Sequence, residues 1–319
     1  MLRRQLLLTS LLATTLPLGR QALAAFPEKA IRVIVPTATG GSIDMNARLF
    51  ERTFETSGLL PQPLTIINVT GAAGSVGLRQ IKDSAPDGYT VGIWHNGLVL
   101  ASIMGVIDFD HTAFDLICQT GSSALGIGAK ADGPLADAKA LVEAAKANPD
   151  TVKAAVNIGL PVHVVALMFA RTAGVRFRYV QTGGGSQRLA SILGGHTDFS
   201  AFSPQELMQY QASGLKPLLV FAPERVPQLP DVPTAKELGW DLEWVEERFW
   251  IAPKGTDPER VAFLADSFEK AMALPETVKW FEEQAITPSF SRGPAAAERL
   301  TAVAAKIAPI ADELKKPAQ

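Results

Sequence analysis

Apolar and polar positions along the chain fall into short β-branched runs separated by longer stretches of helical period. Runs at 31–35, 64–69 and 89–94 read as strands, and 45–56 and 76–82 between them read as helices. The rhythm resumes after Leu125-Gly126-Ile127-Gly128, with helices expected at 136–148, 162–173 and 187–193. Strands are expected at 152–156, 177–180 and 215–221. Such alternation predicts an α/β chain whose largely parallel sheets carry helices on both faces. A loop at 223–233 carries four prolines, a strand is expected at 250–252, and helices at 258–273, 275–284 and 294–314 finish the chain. The late strand reads as a return to the first sheet. The expected architecture is therefore two lobes, each with a mixed or parallel sheet, joined by a hinge: lobe one at 26–123 and 224–319, lobe two at 124–223.

The first 25 residues stand outside this pattern. Arg3-Arg4, an apolar stretch at 6–18 and Ala22-Leu23-Ala24 have the charged start, apolar middle and small-residue end of an export signal, with cleavage expected near Ala24 or Ala25. The apolar stretch is shorter than the ~20 residues of a spanning helix and is broken by Thr9, Thr14, Thr15 and Pro17. The two adjacent arginines leave the general secretory and twin-arginine routes both open. Removing Arg3, Arg4 and Arg20 with the leader takes the formal charge from −2 to −5, which argues against nucleic acid or an anionic membrane as a partner. Cys118 is the only cysteine, so no internal disulfide is available and stability has to come from apolar burial. An exported protein is expected, and a monomer, because two lobes that close on a cleft need to move freely.

The candidate chemistry gathers at glycine turns between strands and helices. After the first strand, Pro36-Thr37-Ala38-Thr39-Gly40-Gly41-Ser42-Ile43-Asp44 allows a tight turn and offers Ser42 as a cap, leaving helix-start N–H groups to meet an anion. Two similar turns follow, at 157–163 and 181–186. A carboxylate held by backbone N–H groups gains charge-assisted hydrogen bonds without a permanently buried cation, so it leaves again when the lobes part.

The chain also resembles a known family. Val35-Pro36 with Gly40-Gly41-Ser42 and Asp44, then Gly71, Gly74-Ser75 and Gly77, then Ala85-Pro86-Asp87-Gly88-Tyr89-Thr90 look like segments of the Bug-type substrate-binding proteins of tripartite tricarboxylate transporters. Leu193-Gly194-Gly195-His196 with Asp198, Leu229-Pro230-Asp231-Val232-Pro233-Thr234 and Ala252-Pro253-Lys254-Gly255-Thr256 agree, in the same order. The resemblance implies a periplasmic-binding-protein-like fold and a non-catalytic, cofactor-free receptor. Such a receptor closes on a small carboxylate and delivers it to membrane permease subunits. It further implies that Thr39, Gly40, Gly41, Ser42 and Asp44 line the first lobe's side of the cleft. A carboxylate facing an anionic ligand is repulsive, so Asp44 reads equally as a first-turn acid that holds the turn.

The second lobe departs from the family pattern. Where a Gly/Ser-rich turn is usual, the chain has Asn157-Ile158-Gly159-Leu160-Pro161-Val162-His163, keeping Gly159 and His163 but not the hydroxyls. Proline in the first helical turn leaves later N–H groups free, and His163 reads equally as a carboxylate donor or a packed core residue. In the third turn, Thr182 and Gly183 stand where the family carries Tyr and Lys. Phe202 reads as a mid-cleft contact or as core. Trp94-His95 suggests a roomier, more apolar pocket for an aromatic or branched carboxylate, against the plain alternative of core packing. The charged run 243–248 reads as a surface connection, with Arg248 or Phe249 at the cleft rim.

Other classes of function find less. Ala73-Gly74-Ser75-Val76-Gly77 is a variant nucleophile elbow, but the preceding strand is expected to end too early to present Ser75 on a strand-to-helix turn. The four histidines show no metal-ligand spacing, so no metal is expected. A ligand sensor that presents its closed form to a membrane signalling receptor would need the same cleft.

Overall fold

The computed structural model describes residues 26–315; the expected leader lies outside the described residues. In chain order the first sheet begins with β1 (Ile31–Val35), α1 (Ser42–Ser57), β2 (Leu64–Asn68), α2 (Ser75–Lys82), β3 (Thr90–His95) and α3 (Gly97–Ile103). The long β4 (Phe114–Ala124) leads straight into β5 (Gly126–Lys130) of the second sheet. There follow α4 (Ala138–Ala147), β6 (Lys153–Val156), α5 (Pro161–Ala173), β7 (Arg178–Gln181), α6 (Gly185–Leu193), β8 (Phe199–Phe202), α7 (Pro204–Gln211) and β9 (Leu215–Val220). The chain returns through β10 (Val245–Pro253), α8 (Pro258–Met272), α9 (Pro275–Glu283), β11 (Thr287–Arg292) and α10 (Gly293–Ile307). One sheet has the order β11-β4-β10-β3-β1-β2 and the other β7-β6-β8-β5-β9. Both are mixed: β1 runs parallel to β2 and β3 while β10 is antiparallel to β3 and β4, and β6 runs parallel to β7 and β8 while β5 is antiparallel to β8 and β9. The two-lobed α/β architecture is thus present.

Strand β1 shows why its sequence is a continuous apolar run. Ile31, Val33 and Val35 join a core with Phe50 and Phe54 of α1 and Phe268 of α8, while Ile34 faces Leu78 and Ile81 of α2 on the other side. A strand covered on both faces has no polar side to show. The first of these cores is aromatic. Phe50 meets Trp250 edge-on at 5.5 Å, Trp250 lies 4.2 Å from Phe268, and the Trp250 indole N–H donates to Thr120 Oγ1 at 2.9 Å. The glycine pattern at 71–77 is explained by packing: Gly74 has φ of +89°, and a Cβ there would lie 2.7 Å from the Trp94 ring. Trp94 is 2 % exposed beneath that turn, which makes it core rather than pocket lining.

At the hinge the crossing strands are tied by backbone. Leu125 N–H donates to the Trp244 carbonyl, Phe221 N–H to that of Leu125, and Trp244 N–H to that of Phe221. The expected boundary at 224 does not describe the packing. Val226, Leu229 and Val232 are buried with Phe202 and Leu207, and Ala235, Leu242 and Trp244 join the second sheet's core. Ile307, Ile310 and Leu314 pack there too, so α10 spans from one lobe to the other. A proline-rich stretch without periodicity gives no sign of which core its apolar residues will fill.

Gly74→Ala, with a Cβ driven into Trp94, is expected to destabilise the protein by about 2–4 kcal/mol. Gly105→Ala, at a similar positive φ with open space around it, is expected to cost only ~1 kcal/mol. Urea denaturation of the two variants checks the difference.

Candidate functional site

The turn after β1 is held by a carboxylate. Asp44 is 1 % exposed and accepts from Gly40 N–H at 2.8 Å, Arg48 Nε at 3.0 Å and Asn68 Nδ2 at 2.9 Å. Burial alone would raise its pKa, but these three donors together hold it below the usual carboxylate range. Asn68 also reaches the Thr37 carbonyl, and Thr39 Oγ1 donates to Asn68 Oδ1. Asp44 therefore braces the turn from behind. Gly40 N–H is spent on it and Gly41 N–H donates to the Ala38 carbonyl, so these two amides are not free as the sequence suggested.

Ser42 is not the cap. Gly41 occupies the cap position with extended backbone and α1 has no side-chain cap, which leaves its first-turn amides as the donors at this end. The Ser42 hydroxyl is taken by Arg248, whose Nη2 donates to Ser42 Oγ at 3.0 Å and to Ser123 Oγ at 3.2 Å. Residues 245–248, read from sequence as a surface connection, are the first part of β10, and Arg248 is 2 % exposed. Its Nε and Nη1 are buried and have no hydrogen-bond partner among the described residues. Burial pulls its pKa down to about 10, against the pull of Glu246, so it stays charged at neutral pH. Next to it in the β3–β10 register, His95 is pushed down to about 3 by burial and then by the Arg248 charge, and its Nδ1 accepts from Gly97 N–H. It is a neutral imidazole. A cavity of about 480 Å³ opens beside the hinge and shares Ser123 with this network.

The second lobe turns its own helix starts to the same junction. An added Cβ on Gly97 would lie 3.4 Å from Pro161, the first residue of α5, and Gln205 of α7 donates to Met45 Sδ of α1. The turns before α5 and α6 are stitched together: Thr182 N–H donates to the Val156 carbonyl, and Ile158 N–H to Gln181 Oε1. Gly159 and His163 thus stand beside Thr182 and Gly183. His163, however, is 5 % exposed, is pushed down to about 4 by burial, accepts from Gly159 N–H at 3.3 Å and packs edge-on against Tyr179. The structure uses it to hold its own turn. Thr182 Oγ1 donates to the Val180 carbonyl.

Phe202 is fully buried, so it forms core and not a cleft contact. Its ring instead supports Arg188, whose guanidinium lies 5.2 Å from the ring centre. Arg188 is 5 % exposed, donates through Nη1 to the Gly183 carbonyl and faces Glu206 Oε1 at 3.6 Å, with Nε unpartnered. Where the family resemblance led one to expect a lysine in the turn, a cation one turn into α6 reaches back to it. Glu206 itself closes a capping box with Ser203, and its Oε1 sits where a Cβ on Gly185 would be, 1.9 Å away. Gly185 is therefore what lets α7 approach α6.

Sequence reasoning missed Arg188 and read Glu246 as part of a surface connection, with Arg248 or Phe249 at the cleft rim; in the structure all three lie in β10, and Arg248 and Phe249 are buried. The available signal was the alternation Glu246, Arg248, Trp250 on one face of an extended run. Among the described residues no group of three or more His, Cys, Asp or Glu is placed to hold a metal ion, and no helix is long and apolar enough to cross a membrane. Ser75 opens α2 after the turn Ala72–Gly74, well past the end of β2 and not at the strand end an elbow requires.

Comparison with known proteins agrees with the fold. BugT of Bordetella pertussis is 30 % identical over 272 residues, covering 82 % of each chain. The structure of the periplasmic binding protein BugD superposes with a TM-score of 0.82 at 26 % identity, covering 91 % of this chain and 98 % of that one. MatC of Rhodopseudomonas palustris, solved with bound malate, shares the fold with a TM-score of 0.75 at 23 % identity, covering 91 % and 99 %. Residues 52–312 match the family model of the tripartite tricarboxylate transporter family receptor, and the chain belongs to that family of solute-binding receptors.

Proposed function

We propose that the chain is an exported, periplasmic solute receptor that closes its two lobes on a small carboxylate and delivers it to a membrane permease. The observation that carries this reading is Arg248, a fully buried guanidinium at the lobe junction with two donors unused. Burying a cation with idle N–H groups costs free energy, and an arriving carboxylate repays it with charge-assisted, bidentate hydrogen bonds. The uncapped start of α1 adds partial positive charge on the same side. On the first lobe, Thr39, Gly40, Gly41 and Ser42 form the wall, with Asp44 behind it. On the second, Gly159, Thr182 and Gly183 form the facing wall, with the unpartnered Nε of Arg188 beneath. Malate in MatC supports a dicarboxylate-sized ligand as a starting point for screening.

Release follows from the same arrangement. The donors sit on two lobes that part at the hinge, so opening removes half of the ligand's contacts at once.

A thermal-shift screen of the protein against mono-, di- and tricarboxylates is expected to give one responsive class, because a ligand at 100 times its Kd adds about 2.7 kcal/mol to the folded state. For a chain of this size that moves the midpoint by a few degrees, and an unmoved midpoint with every acid counts against the proposal. Arg248→Gln is expected to weaken that ligand by about 10- to 100-fold, the worth of hydrogen bonds to a charged group. Because the wild-type cation is buried and underpaired, the same variant should leave ligand-free stability unchanged or raised. Calorimetric titration and urea denaturation without ligand read the two effects separately.

A further inference from the structure

The corner that ends α9 belongs to two cores at once. Phe281 and Ile286, on either side of it, fill the first lobe's aromatic core, while Ala285 is buried in the second-lobe group that holds Val226, Leu229 and Leu207. Adjacent residues enter opposite cores only where the backbone turns sharply. Ala285 makes that turn at φ +52°, in the left-handed region that favours glycine. An alanine held there is strained, and the methyl group it places in the other lobe is what a glycine would lack.

Two glutamines of the second lobe reach the same corner. Gln228 donates to the carbonyl of Glu282, in the last turn of α9. Gln205, in the first turn of α7, donates to Gln284 Oε1 and to Met45 Sδ of α1. Both carboxamides thus leave their own lobe to bond the other.

The remaining connections are of a different kind. The crossing strands are tied by backbone at Leu125, Phe221 and Trp244, and α10 runs from Ala296 and Leu300 in one lobe to Ile307 in the other. These links are covalent and persist however the lobes move. On the first sheet, α10 packs on the face of Ile34 and Leu78, whereas α9 packs on the face of Phe50 and Phe281. Turning the lobes about the crossings therefore keeps the α10 side together and separates the α9 side. The 480 Å³ cavity beside the hinge is lined by residues of both lobes, Gln228 and Ala285 among them, so the lobes meet at this corner around open space and not along a continuous packed interface.

We infer that the α9 corner is a latch between the lobes, made by Gln205, Gln228 and the Ala285 methyl group, which holds them in the arrangement described here without help from a ligand and has to release before the cleft exchanges its contents. Its parts suit a contact that is made and broken. On release the carboxamides and the Glu282 carbonyl pass to water, and Ala285 exposes no more than a methyl group. A net hydrogen bond shifts an equilibrium by about 2- to 10-fold, so the two together bias the lobes by roughly 10-fold without locking them. The inference deepens the receptor reading by naming what gates the cleft, but it rests on contacts between the lobes and not on what is bound.

The test needs no ligand and uses protein freed of any that co-purifies. Spin labels on Glu55→Cys of α1 and Lys139→Cys of α4, both exposed, report the distance between lobes by pulsed electron paramagnetic resonance, since the native Cys118 is buried. Wild type is expected to give one predominant short distance. Gln205→Ala combined with Gln228→Ala is expected to shift the ratio toward a longer distance by about 10-fold. Ala285→Gly removes the methyl group and the strain together. It is expected to lengthen the distance without lowering the urea midpoint, because glycine's ease at positive φ offsets the lost methyl group. A lowered midpoint with an unchanged distance makes Ala285 simple core and overturns the latch. So does a double variant with the wild-type distance distribution, or a wild type whose lobes are already parted. None of these outcomes touches the receptor reading, which stands or falls on the carboxylate screen.

Discussion

The junction of the two lobes is organised around one underpaired cation. Arg248 sits in a strand shared by the hinge and the first sheet, is closed off from water, and among the described residues its guanidinium is hydrogen-bonded only through Nη2, to two serine hydroxyls. A guanidinium so placed is costly unless an anion completes it. The rest of the first lobe bears that cost: an aromatic core around Trp250 and Phe50 fixes β10 two residues further on. β10 is antiparallel to both β3 and β4; Arg248 pairs with His95 on the β3 side and falls at the register shift between Glu247 and Phe249 on the β4 side. The site is a consequence of that rigidity.

Around the cation, the polar groups divide into those that shape the walls and those left to bind. Asp44, Asn68, His163 and Gln187 each satisfy a backbone N–H or carbonyl of a cleft turn. Glycine turns are conformationally loose, and these side chains supply the stiffness the backbone lacks. Histidine and aspartate at a glycine turn look alike in sequence whether they face a ligand or support the turn. Here burial decides: both are closed off, both are committed to amides of their own turn, and His163 is uncharged at neutral pH. Near the junction, and among the described residues, Nε and Nη1 of Arg248 and Nε of Arg188 are left without hydrogen-bond partners.

The sequence by itself indicated an α/β chain, many of its strands and helices, and the glycine turns between them, while β4, β5, β11, α3 and α7 had no counterpart in its pattern. These are local matters: period two or period 3.6, proline at helix starts and glycine at tight turns are written within a few residues of where they act. It also carried enough ordered motifs to indicate the receptor family. Tertiary structure decided which core each segment fills and which charges are buried. Val226, Trp244 and Ile307 are apolar in any reading, but only the packed structure assigns them to the second lobe. Arg248 looks like part of a solvated charge run until β10 takes its place between β3 and β4 and its guanidinium is buried. Arg188 acquires its role because Phe202 and Glu206, from the next strand and helix, meet it in space. Burial of a charge is a property of contacts distant in sequence, and no local pattern records it.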